Sequence, residues 1–275
     1  GYQRLTWLVR GVLTKLDLIA VQNQEYADRF LALGGRADAV QITGSIKFDG
    51  ARTNRDTAEI QRLSKLAGIG PDDIVFLSGS TQDPEESFAL SVFQKLSFEF
   101  PNLKLILVPR HPERFEEVAN LLERSGLPYQ RRTHLSPVSC PLSPVPSLLL
   151  IDAIGELGHW WGTAHIAFVG GSLTQRGGQN MIEPAGYGAA VSFGPNTWNF
   201  RDIVSLLLAS DAAIVVHNQA ELETFVRRCL TQSDFAGTLG RRAQQLVLHQ
   251  QGAADRTILL LEQLCLADSG QRNAA

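Results

Sequence analysis

The stretch Ile74-Val75-Phe76-Leu77-Ser78-Gly79-Ser80-Thr81-Gln82-Asp83-Pro84-Glu85-Glu86 decides the architecture. Its apolar start, Ile74–Ser78, reads as a strand buried on both faces, because it is continuous rather than alternating. Asp83 is placed to cap a helix, with Pro84 at the first helical position and Glu86 three residues after the cap, a capping box with proline. The helix is expected to run to about Phe100, where Pro101 stops it. A second apolar run, Leu103–Val108, follows at once. Strand, helix and strand in that order make a parallel βαβ unit.

Outward from this unit the pattern repeats. Strands are expected at Leu16–Val21, Ala39–Thr43, Leu148–Ile151, Ile166–Val169, Ala190–Phe193 and Ala213–Val216, with helical patterns between most of them. The fold class is therefore α/β with a parallel sheet. Two amphipathic helices, Asp234–Gln250 and Ala253–Leu266, close the chain, followed by a polar tail at Ser269–Ala275 that is expected to fray. Between Thr133 and Ser147, Pro137, Pro141, Pro144 and Pro146 stand among serines and mark an exposed connection.

Composition narrows the function classes. The 275 residues are 44% hydrophobic and 19% charged, with a formal net charge of -3. That balance is ordinary for a globular chain and gives no overall basic field for nucleic acid. Cys140, Cys229 and Cys265 are odd in number and far apart, so neither a disulfide framework nor a zinc site is expected. No apolar run reaches the roughly 18 residues that a membrane span requires. His159, His165, His217 and His249 lack triad or metal spacing and read as structural.

The chemistry is concentrated in segments that follow strands, where open α/β sheets bind ligands. Leu77 to Gln82 turns small and polar after its leucine, and suits either a tight turn or a close backbone approach to a ligand. Pro109-Arg110-His111-Pro112 sets a cation and an imidazole between two prolines, which would aim them at a fixed anion; an arginine capping a neighbouring helix is the alternative. Ile154-Gly155-Glu156 follows the strand near residue 150 and could present backbone N–H groups. The densest segment runs through Gly170, Gly171 and Ser172, then Arg176, Gly177, Gly178 and Asn180, to Met181, Ile182 and Glu183. Two glycine pairs around an arginine suit a loop wrapping an anion, and Glu183 can either accept both hydroxyls of a ribose or cap its helix. In a fifth run, Gly194 to Phe200, Trp198 and Phe200 are expected as core anchors and Asn196 and Asn199 as caps. There is no Asp-x-Asp metal clamp and no dinucleotide or P-loop glycine pattern.

Taken together, these segments resemble the transferases of Kdo (3-deoxy-D-manno-octulosonic acid). Members carry, in this order, TGNLKFD-like, PRHPERF, MGEL-like, GGSL…RGGHNPLEP and GPHTFNF motifs. Here the corresponding residues are Thr43 to Asp49, Pro109 to Phe115, Ile154 to Leu157, Gly170 to Pro184 and Gly194 to Phe200. The resemblance covers about residues 5 to 255. It departs at Gln82 and Gln179, where His is usual, at Met181-Ile182 for Pro-Leu, and at Trp198 for Phe or Tyr.

The resemblance implies a GT-B-type glycosyltransferase, with residues 1–43 ending an N-terminal acceptor domain and 44–275 forming a Rossmann-like C-terminal nucleotide-sugar domain. It implies transfer of Kdo from CMP-Kdo to a lipid A precursor, with no metal and no cofactor; a departing monophosphate needs only cations and N–H groups, which fits the missing Asp-x-Asp. Pro109 with Arg110, Ile154 to Glu156 and Asn180 to Glu183 would line the CMP site, joined by His111, Gly171, Ser172, Arg176, Gly177 and Gly178. Lys47 would stabilise charge developing on the donor phosphate. The catalytic base and a membrane anchor are expected before Gly1, so these residues alone are expected not to transfer Kdo. The whole protein is expected at the cytoplasmic face of the inner membrane, held there through that N-terminal part. Another nucleotide-sugar enzyme of the same fold and a non-catalytic nucleotide-binding module remain open.

Overall fold

The computed structural model describes residues 6–135 and 146–272. They form two compact units, 1–51 with 248–275, and 52–247. Most of the proline-rich connection, with Pro137, Cys140, Pro141 and Pro144, lies outside the described residues.

In the first unit, β1 (Ile19–Val21) and β2 (Val40–Ile42) pair in parallel, accompanied by the helices α1 (Thr6–Leu13) and α2 (Gln24–Ala32). Leu13, Ile19, Val21 and Ala27 form its small core. The same unit contains the last helix, α11 (Ala253–Arg272). Asp49 explains that grouping. Its carboxylate accepts the N–H groups of Gly252 at 2.7 Å, Ala253 at 3.2 Å and Ala254 at 2.6 Å, so it caps the start of α11. Gln251 donates to the Phe48 and Ala51 carbonyls, and Arg256 to that of Thr43. Residues 44–51 and the C-terminal helix thus pack with the first unit, whereas the sequence places the boundary at 43/44 and the last helix in the second domain. α11 also runs through Ser269, where a frayed tail is expected, to Arg272.

The second unit is a seven-stranded, fully parallel sheet of order β5-β6-β4-β3-β7-β8-β9. Its strands are β3 (Ile74–Thr81), β4 (Leu103–Pro109), β5 (Gln130–Arg131), β6 (Leu148–Leu150), β7 (Ile166–Val169), β8 (Ala190–Phe193) and β9 (Ala213–Val215). Every apolar run in residues 52–247 that reads as a strand is one. β5 was not anticipated, because two polar residues on an edge carry no hydrophobic signal. The sheet is covered on both faces, as parallel sheets are. On one side Phe76, Leu105 and Phe168 are fully buried against α4 (Glu85–Leu96), α5 (Phe115–Arg124) and α9 (Gln219–Thr231). Each such side chain contributes roughly 1.5–3 kcal/mol by leaving water.

The buried pair Trp160 and Trp161 packs elsewhere in this unit, close enough to Gly79 that a Cβ there would lie 2.5 Å from the Trp161 ring. Beside it Arg55 donates to three backbone carbonyls, of Tyr187 at 2.6 Å, Gly162 at 3.2 Å and Ala164 at 2.6 Å. Burial pulls the Arg55 pKa down to about 10, which leaves it charged at neutral pH.

The start of α4 differs from expectation. Pro84, not Asp83, occupies the capping position without a side-chain bond, and the helix ends at Leu96 rather than near Phe100. Glu86 is buried and bonded by Arg114 at 3.1 Å, so it does not reach back to form a capping box.

Removing the Asp49 cap should free the first turn of α11. Asp49→Ala is expected to lower stability by about 1 kcal/mol and to accelerate amide exchange at Gly252 to Ala254. Unchanged exchange at those amides would show that the cap is not what orders this turn.

Candidate functional site

β3 and β7 are neighbours, yet the chain leaves β3 toward β4 on one side and continues from β7 toward β8 on the other. This is the topological switch point, where the loops beyond the strand ends diverge and leave a crevice. Each of the predicted segments lies at the carboxyl end of β3, β4, β6, β7 or β8.

The loop after β3 and the loop after β7 are joined by one side chain. Glu85, at the start of α4, is fully buried. Its carboxylate accepts N–H bonds from Gln82 at 2.9 Å, Gly171 at 2.7 Å, Ser172 at 3.0 Å and Leu173 at 2.9 Å. Burial pushes its pKa up, while the four N–H groups favour the charged form. Gly170 is required for this closeness, since a Cβ there would lie 2.6 Å from the Thr81 Cα and 2.7 Å from the Glu85 carboxylate. Ser80, just before, holds φ at 55°, a strained conformation for a side chain and costly by ~1–3 kcal/mol.

The first glycine pair therefore does wrap an anion, but that anion is the protein's own Glu85. The N–H groups of Gly171 and Ser172, expected at the donor, are engaged by it. The Ser172 hydroxyl donates to the Val169 carbonyl and accepts the Gly194 N–H at 2.7 Å.

Further along, Gly177 holds φ at 86°, and a Cβ there would meet the Trp198 indole nitrogen at 2.5 Å. Asn199 donates from its backbone to the Gly177 carbonyl and from its side chain to that of Arg176. The run Gly194 to Phe200 is thus a brace for the glycine loop. Trp198 is 41% exposed and Phe200 only partly buried, so neither is the core anchor expected, and Asn199 caps no helix. Arg176 is exposed; Gly178 is buried and donates to the Gly171 carbonyl at 2.8 Å. Met181 and Ile182 point into the core. Asn180 accepts the Ile182 N–H and donates to Glu183 at 3.1 Å. Glu183 is half-buried, with Arg52, Arg110 and the Trp161 indole around it; burial pushes its pKa up against these neighbours.

At the end of β4, Pro109 is buried, while Arg110 and His111 are exposed. The Arg110 backbone is pinned to the Thr81 carbonyl at 3.0 Å, and its guanidinium closes no salt bridge among the described residues. Its guanidinium also makes no hydrogen bond to a helix end among the described residues, so it does not cap a neighbouring helix, the alternative reading. After β6, Ile154 is 78% exposed beside Gly155, at φ 84°. The Glu156 side chain is taken by Arg132 in a two-point pair at 2.7 and 2.8 Å and by the Trp160 indole at 3.1 Å. Only the backbone of that residue is left for a ligand. Lys47 is exposed in a 3-10 turn, Ile46–Phe48, of the first unit.

Glu85 and Arg52 escaped the sequence. Glu85 stands where a helix-start carboxylate is unremarkable, and three of its four partners lie 86 to 88 residues away. Arg52 sits in an irregular stretch without a motif. A Glu85→Gln variant should retain the side-chain shape but present N–H groups to N–H groups. It is expected to lose about 1–3 kcal/mol and to expose the Gly171, Ser172 and Leu173 amides to fast exchange. Wild-type protection at those three amides would refute the clamp.

Comparison with known proteins follows this geometry. Residues 1–50 match the family model described as 3-Deoxy-D-manno-octulosonic-acid transferase (kdotransferase). The 3-deoxy-D-manno-octulosonic acid transferase of Haemophilus influenzae is 31% identical over 267 residues, which are 95% of this chain and 60% of that protein. The Bordetella pertussis protein of that name is 31% identical over 261 residues, 93% and 59% respectively. The chain thus spans about 60% of the length of these curated relatives. Among solved structures, the C-terminal CMP-Kdo binding domain of WaaA from Acinetobacter baumannii superposes with a TM-score of 0.61 at 27% identity, covering 68% of this chain and 98% of that domain. Anabaena HepE in complex with UDP and glucose gives 0.53 at 14% identity, over 98% of this chain and 67% of that one, a likeness of fold alone. The switch-point sheet, the ordered loops around it and these relatives agree: the fold is that of GT-B glycosyltransferases, and the chain belongs to the 3-deoxy-D-manno-octulosonic acid transferase family.

Proposed function

We propose that this chain carries the donor site of an enzyme that transfers Kdo from CMP-Kdo to a hydroxyl of a lipid A precursor. The observation that carries the reading is the set of groups gathered at the switch point. Gly171, Ser172 and the Glu156 side chain are held by protein partners, whereas Arg110 and the Ile154–Gly155 turn are exposed at the same strand ends, and the half-buried Glu183 carboxylate is held by neutral donors, Asn180 and Trp161, with no salt bridge among the described residues. Arg110 suits a phosphate, Glu183 the two ribose hydroxyls, and the turn the cytosine ring. Arg176, exposed on the glycine loop, adds a further cation for an acidic donor.

In the reaction the acceptor hydroxyl gives up its proton to a general base as its oxygen bonds to the anomeric carbon of Kdo, the bond from that carbon to the phosphate oxygen breaks, and CMP departs with the bonding pair as added negative charge. Cations fixed before the reaction stabilise that charge without reorganising. The relatives' shared name, 3-deoxy-D-manno-octulosonic acid transferase, supports Kdo transfer, and we assign the reaction to lipopolysaccharide synthesis. We assign the acceptor to the inner membrane's cytoplasmic face, where peripheral association would bring donor and lipid together. No helix among the described residues is long and apolar enough to cross a membrane.

Nucleotide titrations separate the assigned roles. Arg110→Ala and Glu183→Gln should each weaken CMP by roughly 10- to 150-fold, the equivalent of ~1.5–3 kcal/mol for a bond to a charged group. Cytidine, without phosphate, should notice Glu183→Gln and hardly notice Arg110→Ala. Added salt should weaken CMP on wild type more than on Arg110→Ala. Equal losses of CMP and cytidine in Arg110→Ala would contradict the phosphate role, and UMP binding as tightly as CMP would contradict the cytidine donor.

A further inference from the structure

Arg52 belongs to none of the segments singled out in the sequence, yet it stands at the Glu183 carboxylate. A Cβ on Gly158 would lie 3.9 Å from Arg52 Nη1 and 3.9 Å from Glu183 Oε2, so cation and carboxylate flank the same glycine. No salt bridge closes between them, and the Arg52 side chain is exposed. The groups around Glu183 are the Asn180 amide, the Trp161 indole and the guanidinium groups of Arg52 and Arg110; the Tyr187 hydroxyl lies beside Arg52.

Glu183 serves a ribose diol only as an ion, because both hydroxyls must donate to it. Two cations favour that ion while the site is empty. When a phosphate closes on Arg110, its negative charge offsets the field of Arg110 at Glu183 and adds like-charge repulsion. One cation is then left to oppose the burial of the carboxylate.

We propose that Arg52 is a positioning residue of the donor site, the cation that keeps Glu183 ionised while Arg110 is engaged by the donor phosphate. This rests on the CMP reading above and extends it to a residue outside the family-like motifs. The sign follows from the carboxylate. Burial raises the Glu183 pKa, so affinity for the ribose falls as pH drops through that pKa. Removing Arg52 raises it further, and the loss begins at higher pH.

Calorimetric titrations of CMP and cytidine, from about pH 8 to about pH 5, test this on the 275-residue chain as wild type, Arg52→Gln, Arg52→Lys, Glu183→Gln and the Arg52→Gln/Glu183→Gln double variant. The ratio of CMP dissociation constants, Arg52→Gln over wild type, should grow as pH falls, by up to roughly 10-fold for each unit by which loss of Arg52 raises the Glu183 pKa. Ionisation of the CMP phosphate near pH 6 is common to both proteins and cancels in the ratio. The ratio should be smaller for cytidine, which leaves Arg110 free, and Arg52→Lys should restore most of the loss. In the Glu183→Gln background the effect of Arg52→Gln should no longer vary with pH. A ratio that is flat with pH, or a pH-dependent ratio that survives Glu183→Gln, overturns the proposal while leaving CMP binding intact. Failure of the wild-type chain to bind CMP overturns the donor reading and this proposal with it.

Discussion

One buried carboxylate holds the crevice of this protein together. Glu85 sits without solvent at the start of α4 and gathers four backbone N–H groups, three of them from the loop after β7. Removing a carboxylate from water costs several kcal/mol. Bonds from N–H groups to an ion are about twice as strong as neutral ones and offset that cost where all are made. The arrangement is consequently all or none, and it fixes the path of residues 170–173 relative to β3. Further along the loop, Asn199 takes over as the brace, donating to the carbonyls of Arg176 and Gly177.

The same logic sorts the arginines. Arg114, Arg131 and Arg132 are committed to Glu86, Asp152 and Glu156, and Arg55 to three carbonyls. Their job is to fasten loops and helix ends. Arg52, Arg110 and Arg176 close no salt bridge among the described residues and are exposed around the strand ends. A net charge of -3 hides this local excess of positive charge, which suits an anionic donor better than any whole-chain average suggests.

Much of the fold was legible because the parallel strands are continuous apolar runs, buried on both faces, and such runs survive any tertiary context. Ile166–Val169 and Ala190–Phe193 match residue for residue. Helix starts were less legible. Asp83-Pro84 carries the form of a cap, but Glu85 and Glu86 are drawn to partners that become neighbours only after folding. The glycine-rich loop was recognised as an anion cradle, yet local sequence does not distinguish an internal anion from a ligand. Asp49 shows the same limit, since its partners on α11 are more than 200 residues away. Arg52 had no signal at all, because an exposed arginine in an irregular stretch resembles any other.

Amide chemical shifts during a CMP titration bear most directly on the claim that the donor binds at the switch point outside a loop already occupied by Glu85. The largest changes should fall at Arg110, at Ile154 to Glu156 and at Asn180 to Glu183, while the Gly171, Ser172 and Leu173 amides stay protected from exchange throughout. Changes centred instead on the groove lined by Glu123, Tyr129 and His134, or release of those three amides on binding, would contradict it.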